Sequence, residues 1–235
     1  MKKFIKKGQI CDSQHSQIPA WGNARLMLPT PILWDNDTIR IFLGFCDEQN
    51  VGRVGYIDVA ADDPSQILAI AQQPVFDIGK DGCFDDNGVV PTCIIEQNGQ
   101  LLLYYGGFQL GIKVPYYMFQ GLAIAPNRSL NFERFAEVPI LDRIDRQVYT
   151  RVAAFVRVVD NQHFELFYIG GGEWTKHPIS GKPLPIYQCF KLQSNDFSHW
   201  KGLPEESILP FLNEQEHGFS RVWFWEEDNG DFSLY

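Results

Sequence analysis

Two carboxylates and three arginines are the residues of this sequence whose type and placement suit them to chemistry. Asp86 ends the pair Asp85-Asp86 just before an apolar run, and Glu173 follows Gly170-Gly171-Gly172 just after another. Breaking a glycosidic bond takes one carboxyl to protonate the leaving oxygen and a second to assist attack at the anomeric carbon. Their separation is about 5–5.5 Å for retention and about 6.5–9.5 Å for inversion. Asp86 is the candidate acid, which at neutral pH needs a raised pKa, and Glu173 the candidate assistant. Asp85-Asp86-Asn87-Gly88 serves equally as a turn topping a strand, because Asp, Asn and Gly are turn formers. Glu173 reads also as a solvated loop residue.

Arg25, Arg151 and Arg221 each open an apolar run. A guanidinium binds carboxylate or phosphate through two parallel hydrogen bonds. Three of them converging on one channel would hold an anionic group, either inorganic phosphate or the carboxylate of an acidic sugar. The alternative is that each pairs with an Asp or Glu of a neighbouring repeat and staples the fold. Gln109 and Trp174 fall just past strand ends and belong on a rim, with Trp174 as a stacking platform, although most aromatics in such a fold are packing. His177 and His217 lack the spacing of a metal pair. The glycine run precedes no strand-to-helix step, so it is not a phosphate loop. Nothing here requires a cofactor or metal.

The elements that must position these residues repeat along the chain. Four segments share a hairpin pattern: Arg25–Trp34 with Ile39–Phe45, Gly88–Ile95 with Leu101–Gly107, Arg151–Val159 with Phe164–Gly171, and Arg221–Trp225 with Phe232 onward. Their turns are Asp35-Asn36-Asp37, Asn98-Gly99, Asp160-Asn161-Gln162 and Asp228-Asn229-Gly230, which are strong hairpin signals. Gly44, Gly106 and Gly170 recur at spacings of 62 and 64 residues. Third strands are expected at Val54–Val59, Gly121–Ala125 and Ile186–Leu192. Fourth strands are expected at Pro74–Phe76, Val138–Leu141 and Ser207–Leu209; Ser65–Ala71 has room for a helical turn, although Pro74 follows closely. Four strands per period of this length make a β-propeller blade. Residues 1–235 then form a single all-β propeller domain, with three full blades and half of a fourth. Blade edges need closure, so the propeller is expected to be incomplete at the C-terminus. Antiparallel blades put the starts of first strands in the central funnel and the ends of second strands on its rim.

Composition narrows the partners. Among 235 residues, the 45% hydrophobic and 14% aromatic content is that of a packed, strand-rich chain. The net charge of −9 disfavours nucleic acid and anionic membrane as general partners. Lys2, Lys3, Lys6 and Lys7 flank only Phe4 and Ile5, so no apolar signal-peptide region follows them, and no run is long enough to span a bilayer. An odd count of five cysteines without a CxxC points to a reducing, cytoplasmic setting.

The stretch FDDNGVVPTCIIEQNGQLLLYYGGF, Phe84–Phe108, resembles the second blade of five-bladed glycosidase propellers, as found in glycoside hydrolase families 32, 43 and 130. SNDFSHWKGLPEESILP and NFERFAEVPIL are similar to their blade-closing segments. The resemblance implies a five-bladed glycosidase-type propeller and a carbohydrate ligand. Asp86 matches the second-blade carboxylate. The first blade carries Asn23 and Arg25 where those families place an Asp, and the third carries Thr150 and Arg151 where they place a Glu. Family 130 phosphorylases, with basic residues for phosphate and a single protein acid, resemble the pattern in that respect. The functions in view are an enzyme cleaving a glycosidic bond by hydrolysis or phosphorolysis, a non-catalytic carbohydrate-binding propeller, and a protein-binding scaffold.

Overall fold

A computed structural model describes residues 5–160, 162–200, 202, 206–213, 216–227 and 232–234. The turn Asp228-Asn229-Gly230 and Asn161 lie outside the described residues. Among the described residues, fifteen strands follow one 3-10 turn at Ala20–Gly22. β1 (Arg25–Leu33), β2 (Thr38–Cys46), β3 (Gly52–Ala60) and β4 (Ile67–Ile70) form the first sheet, in that order. The second repeat contributes β5 (Val89–Gln97), β6 (Gln100–Leu110), β7 (Tyr116–Pro126) and β8 (Glu133–Arg134). The third contributes β9 (Thr150–Asp160) and β10 (His163–Gly171), the rim hairpin β11 (Trp174–Lys176) and β12 (Pro183–Pro185), and then β13 (Gln188–Ser194). A hairpin of β14 (Phe224–Glu226) and β15 (Phe232–Leu234) represents the fourth.

The fold is all-β and propeller-like, built from the expected hairpin repeats. Period-two alternation along β6 shows how the layers pack. Leu101, Leu103 and Tyr105 face the first blade, meeting Phe42, Val54 and Phe76. Leu102 and Tyr104 face the third, meeting Val156, Leu166 and Tyr168. Val222, with Phe224 beside it, continues the stack against Phe167 and Ile169. Ile18 and Trp21 cover the outer face of the first blade, against Leu43, Phe45 and Ile57.

The repeat glycines mark where one blade crosses the next. A Cβ on Gly44 would stand 2.6 Å from Val90, which lies on the inner strand of the following blade. Second and third blades are joined edge to edge by parallel pairing of Met118 with Thr150 and Phe119 with Arg151. Tyr187 and Gly218 repeat that parallel bridge between third and fourth.

Three local expectations change. Ser65–Ala71 holds no helical turn. The Asp63 carboxylate caps the Ser65 amide at 3.1 Å and ends a bend there, and Ile67–Ile70 then pairs with the open edge of β3. Val75 and Phe76 do reach β3, but only through an isolated bridge at Val54, so the outermost strand is broken in two. The second blade does the same with β8 and the Gln120–Leu141 bridge. In the fourth repeat the strand starts at Phe224 rather than Arg221, because Arg221 is turned toward the first two blades and Trp223 packs on Phe155.

Candidate functional site

Inner strands of the first three repeats and the start of the fourth enclose a central cavity of about 410 Å³. Arg25, Met27 and Leu28 come from β1, Val90 and Thr92 from β5, and Val152 and Ala153 from β9. Phe108, Tyr116, Tyr187 and Arg221 complete its working surface. The inner strands do not run straight past it. Register shifts fall between Met27 and Thr30 and between Pro91 and Cys93. Leu28 and Ala153 adopt φ of 51° and 59°. Side-chain-bearing residues in this region are strained, and such strain concentrates at functional positions.

Arg221 takes up the carbonyl groups that the bulges expose. Its guanidinium donates to Thr30 Oγ1 at 2.7 Å, the Pro29 carbonyl at 2.6 Å and the Thr92 carbonyl at 3.2 Å. Thr92 Oγ1 accepts from Gln120 Nε2 at 3.0 Å, and Gln120 Oε1 accepts the Ala154 amide at 3.0 Å. The fourth repeat is thereby tied to the first and second, and the second to the third, through one polar hub. Burial pulls the Arg221 guanidinium below its ordinary pKa. Arg25 also lines the cavity; it is exposed and donates to Asn50 Oδ1.

Arg151 stands elsewhere. It is 5% exposed, donates to the Asp142 carbonyl at 2.8 Å and to Tyr168 Oη at 3.2 Å, and its Nε has no partner. No carboxylate pairs with Arg25, Arg151 or Arg221 among the described residues, so the stapling alternative takes the form of carbonyl and hydroxyl contacts. Of the three, the structure brings Arg25 and Arg221 together at the cavity.

The adjacent acids of the second repeat point different ways. Asp85 is fully buried, and its Oδ2 accepts from Tyr105 Oη at 3.0 Å and Arg134 Nε at 2.9 Å. Asp86 is half-buried, and its Oδ2 accepts the Gly82 amide at 2.9 Å, as in a turn. Two residues on, the Gly88 carbonyl accepts the backbone amide of Phe108, a cavity residue, at 2.9 Å. Glu173 is exposed at the rim, and its backbone carbonyl accepts from Tyr149 Oη. Neither Asp86 nor Glu173 is among the cavity-lining residues. Gln109 donates to the Cys83 carbonyl at 3.3 Å, beside a separate groove that also contains Lys80 and Arg143. Trp174 packs against Tyr149 and Tyr116, ring centroids 4.9 and 5.5 Å away, so it backs the aromatic wall of the cavity. Burial pushes the Tyr149 hydroxyl up to about 12.

Sequence reasoning missed Met27, Thr92, Tyr116 and Tyr187. Met27 and Thr92 were accessible from the inner-strand positions. Tyr116 and Tyr187 were not, because they enter from the rim at the starts of third strands. Their hydroxyls meet at 2.8 Å. Among the described residues no cluster of His, Cys, Asp and Glu is placed to hold a metal ion, and no helix is long and apolar enough to cross a membrane.

Comparison with solved structures fixes the architecture. A thermostable family-43 glycoside hydrolase superposes with a TM-score of 0.66 at 14% identity, over 95% of this chain and 68% of that one. A glycoside hydrolase described as putative, from Parabacteroides distasonis, gives 0.64 at 13% identity, over 94% and 66%. The fold is that of the glycosidase propellers. Among curated proteins, the uncharacterized protein Rv1502 of Mycobacterium tuberculosis is 29% identical over 184 residues, 77% of this chain. The chain spans 58% of that relative's length. No protein-family model matches.

Proposed function

We propose that this chain is a carbohydrate-active propeller whose central cavity receives a sugar. The cavity carries the reading: aromatic rings from Phe108, Tyr116 and Tyr187 stand beside the Ser220 hydroxyl and two guanidiniums. Aromatic faces stack on sugar rings while the polar groups orient hydroxyls. Arg25 and Arg221 contact the ligand, Trp174 supports the wall, and Gln109 and Arg151 shape the rim and the third blade. Residues 1–235 act as one propeller domain, and five unpaired thiols suit a cytoplasmic setting. A panel of neutral and acidic oligosaccharides tests this by thermal shift, because a ligand of the folded state raises its Tm. Met118 also lines the cavity, and a rise with any sugar, reduced in Met118→Trp, which fills that space, is the expected result. No shift across the panel overturns the reading in favour of a scaffold.

Cleavage of a glycosidic bond, by hydrolysis or phosphorolysis, is the second reading. Asp86 favours it, because it sits two residues from the Gly88–Phe108 pair that borders the cavity. Asp86 would be the proton donor and Glu173 the assistant. Turnover lost in Asp86→Asn with binding kept supports catalysis, and turnover retained removes Asp86 from it. The absence of carboxylates from the lining among the described residues supports the non-catalytic form.

A further inference from the structure

We propose that the cavity selects a sugar bearing an anionic group, a carboxylate or a phosphate, held between Arg25 and Arg221. This rests on the sugar-binding reading and names the class of sugar. Both guanidiniums line the same cavity, and no Asp or Glu shares that lining among the described residues. Neither arginine has an ion-pair partner there. Arg221 is half-buried, and its partners are the neutral oxygens of Pro29, Thr30 and Thr92 and the face of the Trp223 ring, 5.6 Å away, none of which carries a negative charge. A buried charge without a counter-charge is costly, and a ligand supplying that charge removes the cost.

The donor count agrees. A guanidinium has five N–H donors. Three hydrogen bonds leave Arg221 two donors to offer, at Nε and Nη2. Arg25 spends one bond on Asn50, and its remaining donors are free to reach a ligand. Arg25 is exposed and Arg221 half-buried, so two positive charges line one pocket whose other walls are largely apolar. Low-dielectric walls strengthen such attraction and shield it from salt. The rest of the chain is acidic, with net charge −9, so the cavity is a local inversion of sign.

Isothermal titration of the intact chain tests this with four probes: glucuronate, glucose 6-phosphate, glucose and inorganic phosphate. The expected result is that one charged sugar binds at least about tenfold more tightly than glucose, the order expected of a charge-assisted hydrogen bond. That preference should vanish in Arg25→Gln, a change at an exposed side chain that leaves the fold and its Tm in place. Arg221→Lys keeps the charge but loses the fork, and should weaken the charged sugar by a larger factor than it weakens glucose. The glucuronate and glucose 6-phosphate arms separate the two anions. Equal binding of charged and neutral sugars overturns the anion inference and leaves the sugar reading intact. Phosphate binding that depends on Arg25, with no sugar bound, keeps the anion site and overturns the sugar reading instead.

Discussion

Gly106 lies so close to Val152 that a Cβ there would stand 2.7 Å from the valine's Cγ2. The second blade's second strand crosses the third blade's inner strand at this point, and the sequence keeps the crossing open by omitting a side chain. Gly106→Ala should destabilise the protein by about 1–3 kcal/mol, the usual cost of overpacking. Urea unfolding measures it. Val152→Ala made in the Gly106→Ala background should recover much of the loss, because the two sites touch and are not additive.

Arg40 is held inside the first blade by Asp58, with two hydrogen bonds of 2.7 Å, and its guanidinium carbon sits 3.8 and 3.9 Å from the ring centres of Trp34 and Tyr56. Both partners are buried. Asp58→Ala strands the cation between two rings and should cost about 3–5 kcal/mol, as for a broken buried pair. A thermal melt of that variant against Arg40→Met/Asp58→Leu checks the mechanism: the double replacement should be the more stable of the two.

Asp47 gives stability a pH dependence. Burial works to raise its pKa, but the hydrogen bond from Arg53 and those from the Val51 and Gln49 amides outweigh it and leave it lowered. A carboxyl lowered in the folded state stabilises above its unfolded value, about 4 for Asp, and that contribution disappears as the pH falls through the lower folded value. Acid unfolding of Asp47→Asn should therefore show a shallower loss of stability below about pH 4 than the unaltered chain. An identical slope would mean that the rim network does not report on folding.

The five thiols should divide by burial. Cys93 is pushed up to about 11 and Cys189 to about 12 by burial, and Cys46 is raised for the same reason. Cys11 and Cys83 are only half-buried; burial raises Cys11 as well, but both sulfurs lie in residues that solvent reaches. A thiol reagent at neutral pH should modify the last two in the native protein and the other three only after denaturant is added, because the thiolate is the reactive form. Mass spectrometry of peptides after labelling reads the result directly.

The hairpin repeats were legible because they are written in local terms: Asn98-Gly99 can hardly do anything but turn, and Leu101–Gly107 can hardly avoid a strand. The glycine spacing was visible, but its meaning was not, because Val90 and Val152 are the residues of another blade that make it necessary. Outer strands were the least legible. Ile67–Ile70 is short, and a free edge on β3, rather than its own sequence, decides its conformation. At the site, the first three inner strands start within a residue of where the repeat puts them and the fourth does not, and Arg25 and Arg221 reach the cavity while Arg151 does not. Asp85 and Asp86 look interchangeable in sequence, and only the position of Arg134 and Tyr105 sends one inward. Partners arriving from distant segments carry that information, and no local pattern does.

The hydrogen bonds of Arg221 to Thr30 and Pro29 join residues 191 and 192 positions apart. The hairpin ladders join near neighbours and can form as soon as each repeat exists, whereas a contact of such reach must wait until the intervening chain is in place. This bond should therefore be absent from the rate-limiting step of folding. Arg221→Met should leave the refolding rate nearly unchanged and carry its whole effect in faster unfolding. In a living cell that difference would be felt as a shorter lifetime of the finished molecule, with its assembly on the ribosome unaffected.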